Sequence, residues 1–271
     1  MSNGINAPYG LAVVQSQIGN GGTQKLGQYN IYADPNGQNT PATSIFKGDM
    51  VKYTPASTDF TTNGYGTIVA GLTPQVGAGA KVVVGLPVGI FMGCQYTSAQ
   101  TGYQINSDYW PGGTQVKKGT SITAWVNDDP EVVFKMQIST STDNTPVAAQ
   151  NNVAPSIFQN IFRGQNAQVQ VGGVVFTKPD NALPTQNPAT GNTLTGQSAY
   201  YLDGSSITLA KANSGNSAFE IKIIGLAGTI QSLPNPTNLV PGTNMPFVDV
   251  LCKFNVHIHG SVGTPGVFFT T

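Results

Sequence analysis

The stretch Trp125–Ile138, WVNDDPEVVFKMQI, decides how this chain folds. Two β-type segments, SITAWV and EVVFKMQI, flank the tetrad Asn127-Asp128-Asp129-Pro130. Asx side chains bond backbone N–H groups two residues on, and proline fixes φ and removes a donor, so the tetrad ends one strand and starts another. It predicts a hairpin or a corner. Acid–base work by Asp128 and Asp129 is disfavoured, because adjacent strand residues point to opposite faces. A calcium loop would need alternating oxygen ligands and a glycine over about twelve residues, and the stretch has neither.

The same grammar extends outward in both directions. KVVVGLPVGIFMG, AQVQVGGVVF, SAYYLD, AFEIKIIGL and FVDVLCKFNVHIHG have strand length, are rich in β-branched and aromatic residues, and are bounded by turn residues. Phe219, Ile221 and Ile223 alternate with Glu220 and Lys222; Phe254, Val256 and Ile258 alternate with Asn255, His257 and His259. Each alternation predicts a strand with one buried face. The chain therefore reads as mainly β, in two β-sandwich or β-barrel-like modules with one short helix. That helix is predicted near 156–163, where Ser156 and Gln159 form a capping box, Ile157, Phe158, Ile161 and Phe162 an apolar stripe, and Gly164 a stop. A hairpin turn is expected around 76–80, and polar, proline-containing loops at 176–196 and 232–246. The polar stretch 139–152 reads as a boundary. It gives an N-terminal arm over 1–27, a first β domain over 28–140 and a second over 153–271. No repeat of fixed period is visible.

Charge narrows the function. Of 271 residues only 9% are Asp, Glu, Lys or Arg, and the formal net charge is zero. An average soluble domain carries roughly 25%. With Arg163 as its only arginine, the chain cannot build the basic stripe that a nucleic-acid partner demands. No run approaches the roughly 20 apolar residues of a membrane helix. The N-terminal residues lack a signal-peptide pattern, so the chain is expected to start near Met1 and fold in a cytoplasm. Cys94 and Cys252 lie in apolar runs and read as small buried hydrophobes. His257 and His259 form an H-x-H that suits a metal, but no third ligand joins them in sequence, so they read as solvent-facing or interface histidines. No G-x-S-x-G elbow or phosphate loop is present, and no catalytic residue, metal site or cofactor is assigned. Tyr103, Tyr109 and Trp110 form either a stacking shelf for a sugar or buried packing.

In order along the chain, NAPYGL, GQYNIY, SIFKGDMVKY, VGIFMGCQY, YWPGG and WVNDDPEVVFKMQI, then SAYYLD, EIKIIGL and FVDVLCKFNVHIHG, resemble structural proteins of tailed bacteriophages. The resemblance spans nearly the whole chain and rests on order and spacing more than on any single motif. It is closest to the head decoration, or cement, type. The chain departs from that pattern after Leu11, where Ala12, Val13 and Val14 replace a basic step. The resemblance implies a non-enzymatic virion protein on the capsid exterior, assembled in the host cytoplasm. Its implied partner is the major capsid protein, and a homo-oligomer, a trimer on three-fold axes, fits shell geometry. The contacts expected to meet that partner are Tyr9, Leu11, Val13 and Val14 in the arm, with Tyr109 and Trp110. The alternative is a tail- or fibre-associated structural protein that binds glycans.

Overall fold

The structure, a computed structural model, describes residues 9–15, 26–53, 67–70, 87–139, 164, 166–171, 191–193, 195–203, 220–227, 248–255 and 257–259. The helix expected at 156–163, the turn expected at 76–80, the loop expected at 232–246 and most of the loop expected at 176–196 lie outside these residues. In the first half the strands are β1 (Ala12–Gln15), β2 (Gly27–Ile31), β3 (Ile45–Phe46), β4 (Met50–Tyr53), β5 (Thr67–Ala70), β6 (Pro87–Thr97), β7 (Gln104–Ser107), β8 (Tyr109–Trp110) and β9 (Ile122–Asn127). In the second half they are β10 (Val133–Ser139), β11 (Asn166–Val171), β12 (Gly191–Asn192), β13 (Gln197–Ser198), β14 (Tyr200–Asp203), β15 (Ile221–Leu226) and β16 (Val248–Phe254). The protein is mainly β, as the strand grammar predicts, and no helix occurs among the described residues.

The strands close into two rings. In the first, β4 pairs with β5, β5 with β2, β2 with β9, β9 with β6, and β6 back with β4, while β7 adds to the outside of β6. In the second, β10 pairs with β14, β14 with β11, β11 with β15, β15 with β16, and β16 back with β10, while β1 adds beside β10. Closure removes the exposed edges that an open sheet would leave.

The tetrad at 127–130 is the corner between the rings. The Asn127 carboxamide accepts the Asp129 N–H (3.3 Å), and the Asp129 carboxylate accepts the Glu131 N–H (2.9 Å). β9 belongs to the first ring and β10 to the second, so the chain changes barrel here. The boundary expected at 139–152 is corrected accordingly. EVVFKMQI supplies the first strand of the second barrel, and its apolar residues Val132, Phe134, Met136 and Ile138 are buried in that barrel's core.

The two barrels share one plan. Each ring has a single parallel pair, β2 with β5 and β10 with β14; every other pair is antiparallel. The registers also match. Tyr29 opposite Ala124 corresponds to Met136 opposite Val250, and Ile31 beside Ile68 to Ile138 beside Leu202. Tyr53 opposite Ile68 corresponds to Val169 opposite Leu202, and Met50 opposite Ile90 to Asn166 opposite Lys222. Even the irregularity recurs: a bulge at Met92 precedes Gly93, which faces Trp125, and a bulge at Ile224 precedes Gly225, which faces Leu251. Bulges bend and twist a strand and so help a small barrel to close. The repeat has no fixed period because the connections between matched strands differ in length.

Each barrel buries its own core. Tyr29, Ile31, Val51, Ile68, Phe91, Ala124 and Val126 fill the first; Met136, Ile138, Ala167, Leu202, Ile223, Val250 and Cys252 fill matched positions in the second. The barrels are joined by the outer face of the first. Met50 and Ile90 point out of that ring into the core cluster of the second, with Met92 packed against it. Burying such a side chain contributes about 1.5–3 kcal/mol. The matched positions on the second barrel are Asn166 and Lys222, so that barrel does not offer the same apolar face.

The expected arm is also corrected for residues 9–15. Gly10 N–H donates to the Tyr200 carbonyl in the second barrel (3.1 Å), Leu11 N–H donates to the Gly48 carbonyl in the first (2.9 Å), and β1 then pairs with β10. This segment wedges into the joint, because Leu11 is worth more buried there than exposed.

Candidate functional site at the mouth of the first barrel

Two features that are distant in sequence meet at one end of the first barrel: the acidic corner and the H-x-H. The Tyr29 hydroxyl donates to Asp128 Oδ2 (2.8 Å) and stands 3.4 Å from His259 Nε2. The Tyr53 ring lies 6.1 Å from that of Tyr29. Burial, with the bond to Asp128, pushes the Tyr29 phenol well above its ordinary range. Burial raises Tyr53 too, with its bond to Tyr29 pulling the other way. Both phenols therefore stay protonated as hydrogen-bond donors at neutral pH.

β16 ends at Phe254, so the alternation expected to run on to His259 stops short. A turn reverses the expected faces: His257 is buried and Ile258 is 37% exposed. The Ile258 N–H is bonded to the Pro87 carbonyl (3.0 Å), which fastens the turn to the first barrel. The His257 ring packs 4.9 Å from Phe254 and 5.6 Å from His259, and its Nδ1 accepts the His259 N–H (3.0 Å). That bond assigns the imidazole proton to Nε2. Burial, then repulsion from His259, lowers the His257 pKa to about 4. His259 is exposed at the rim. Among the described residues no group of three or more His, Cys, Asp or Glu is placed to hold a metal ion.

The residues expected to meet a partner are dispersed. Leu11 is in the core at the joint, and Trp110 is fully buried, its ring edge-on to Tyr96 at 5.3 Å; neither presents a surface. Tyr109 is half-buried and stacks on Phe46 (5.4 Å). Tyr9 lies under the Lys135 ammonium (5.1 Å to the ring centroid), and its phenol is raised by burial and by Asp249. Val13 packs on the second core, while Val14 is 57% exposed. Of the three shelf aromatics only Tyr103 is exposed. Cys94 and Cys252 are free and buried, as their apolar runs predict.

Sequence reading missed Tyr29 and Tyr53, since a tyrosine in a β segment is ordinary. What sets them apart is the matched barrel, where the same positions hold Met136 and Val169. No protein-family profile, curated protein or solved structure matches this chain.

Proposed function

We propose that this protein is a virion structural protein of a tailed bacteriophage, of the head decoration type, which binds the outer surface of the major capsid shell and stabilises the head. The observation that carries the reading is its surface: two closed barrels built on 9% charged residues with zero net charge. A body of this kind repels its neighbours little and adheres through apolar burial and hydrogen bonds, which salt screens weakly. On a shell, many copies turn modest contacts into durable attachment, each stable interface burying about 1,200–2,000 Å². The resemblance in motif order points the same way. Val14 beside the strand edge of β1 is the contact we favour among those expected from sequence. The test is a cryo-electron map of particles carrying the labelled protein. Label on heads supports the reading; label confined to tails, or absent from particles, removes it.

A second reading, a tail or fibre protein that binds glycans, draws on one feature. A shallow depression of about 320 Å³ on the first barrel is lined by Tyr96 together with amide and hydroxyl side chains, among them Gln95, Gln104, Thr120 and Thr123, and by no acid, lysine, arginine or histidine. Exposed Tyr103 adjoins Gln104 in sequence. Binding to host polysaccharide, lost on Tyr103→Ala, would favour it over the first reading.

A further inference from the structure

The two barrels act as controls for one another. Where they share a residue type, barrel folding accounts for it; where they differ in chemistry, another cause is needed. One end differs most. The second barrel closes its mouth with Phe134 and Phe254, whose rings lie 5.4 Å apart, above Met136 and Val169. The matched residues of the first barrel are Gly27, Asp128, Tyr29 and Tyr53. An apolar plug has been replaced by a glycine, a carboxylate and two phenols. Gly27 is needed as such, because a side chain there would run into the Asp128 carboxylate and the Tyr29 ring. The Tyr29 ring takes up the space that a side chain at Gly27 would fill, so the first barrel keeps an aromatic filling and gains in exchange a carboxylate and two hydroxyls that packing alone does not require.

The contents of the mouth define its ligand. Asp128 has no lysine or arginine partner among the described residues, whereas Asp108, Asp249 and Glu131 are each paired with a lysine. Its carboxylate, half-buried, lies next to the rings of Tyr29 and Tyr53. A carboxylate beside aromatic faces attracts an ammonium or guanidinium group by charge and by the ring quadrupole. Leu26 and Ile258, 40% and 37% exposed, neighbour Gly27 and His259 and offer apolar surface for an alkyl stem. We infer that the mouth of the first barrel is a recognition site for a lysine or arginine side chain of a partner polypeptide. The site requires only a basic side chain and holds for a capsid partner or any other.

The test uses the full-length protein, uniformly labelled, in an NMR titration with three probes: N-acetyl-lysine methylamide, N-acetyl-arginine methylamide and the uncharged N-acetyl-norleucine methylamide. Saturable shifts of the Tyr29, Asp128 and His259 amides with the cationic probes, at least about tenfold weaker with norleucine, are expected, a factor equivalent to about 1.4 kcal/mol. Asp128→Phe installs the residue that the second barrel carries, and should keep the barrel folded while abolishing the response. If that variant does not fold, Ile258→Lys, which sets a competing cation on the exposed rim, should weaken binding by a similar factor. Equal shifts with norleucine, no shifts with any probe, or undiminished binding in the folded variants would overturn the assignment.

Discussion

Asp49 should make this protein less stable as the pH rises through neutrality, and Asp49→Asn should remove that dependence. The carboxyl is 1% exposed, and its Oδ2 accepts the Phe46 N–H at 2.8 Å. Burial pushes its pKa up to about 7, although the bonds from the Phe46 N–H and the Ser198 side chain favour the charged form. In an unfolded chain an aspartate titrates near ~3.9. Between these values the folded state holds a proton that the unfolded state has released. Stability therefore falls as pH rises from about 4 and levels off above about 7. Roughly three pH units at 1.36 kcal/mol each give about 4 kcal/mol at most. Asparagine keeps an acceptor for Phe46 but carries no charge. His257, with its pKa lowered to about 4, has the opposite slope, losing stability as pH falls below about 6.5, so the wild-type curve alone would hide both effects. The informative quantity is the difference between the wild type and Asp49→Asn in urea midpoints from pH 5 to pH 8. The variant should gain about 2–4 kcal/mol relative to wild type across that range. A difference that stays constant over the range would refute the reasoning.

Four further outcomes follow from the structure. His257→Phe should flatten the acid limb between pH about 6.5 and 4, read as unfolding free energy against pH. Trp110→Ala should cost about 3–5 kcal/mol by urea denaturation, because the ring fills the first core and lies off the surface. Gly10→Ala should cost about 2 kcal/mol or more in the same assay, since Gly10 has φ of 73° and a Cβ there would strike Ser198 and the Gly48 carbonyl. Met50→Asn combined with Ile90→Lys, the residues matched on the second barrel, should split calorimetric unfolding into two transitions while far-UV dichroism persists; a single transition with lost β signal would show one indivisible core.

The strands were legible because β-branched alternation and turn residues are local signals. The NDDP tetrad announced its own Asx turns for the same reason. Its consequence was not local: a hairpin and a corner share the same turn chemistry, and only the pairing of β10 with β16, more than a hundred residues later, selects the corner. That pairing moved EVVFKMQI into the second barrel and displaced the boundary. Leu11 and Val13 read as a free apolar arm because nothing nearby in sequence could cover them; the core of the second barrel does so, with Leu11 inside it and Val13 packed against it. At the site, Asp128, His257 and His259 each stand out in the sequence, but the meeting of Asp128 and His259 at Tyr29, with His257 bonded to the His259 backbone, is tertiary. The internal repeat stayed hidden because loop lengths differ and matched cores trade one apolar residue for another of unlike identity, as Phe91 for Ile223, which packing tolerates.

The position of β1 has a consequence for biosynthesis. The ring of the first barrel draws on residues between Gly27 and Asn127, so it can close while the rest of the chain is still being translated. Ala12 finds its neighbour only at Lys135, roughly 120 residues later, a delay of about 6–25 s at ribosomal rates of about 5–20 residues per second. During that interval the nascent polypeptide carries Leu11 and Val13 without their native cover. Chaperones that bind short apolar segments would meet this protein at Leu11 and Val13 and leave it once the second barrel emerges.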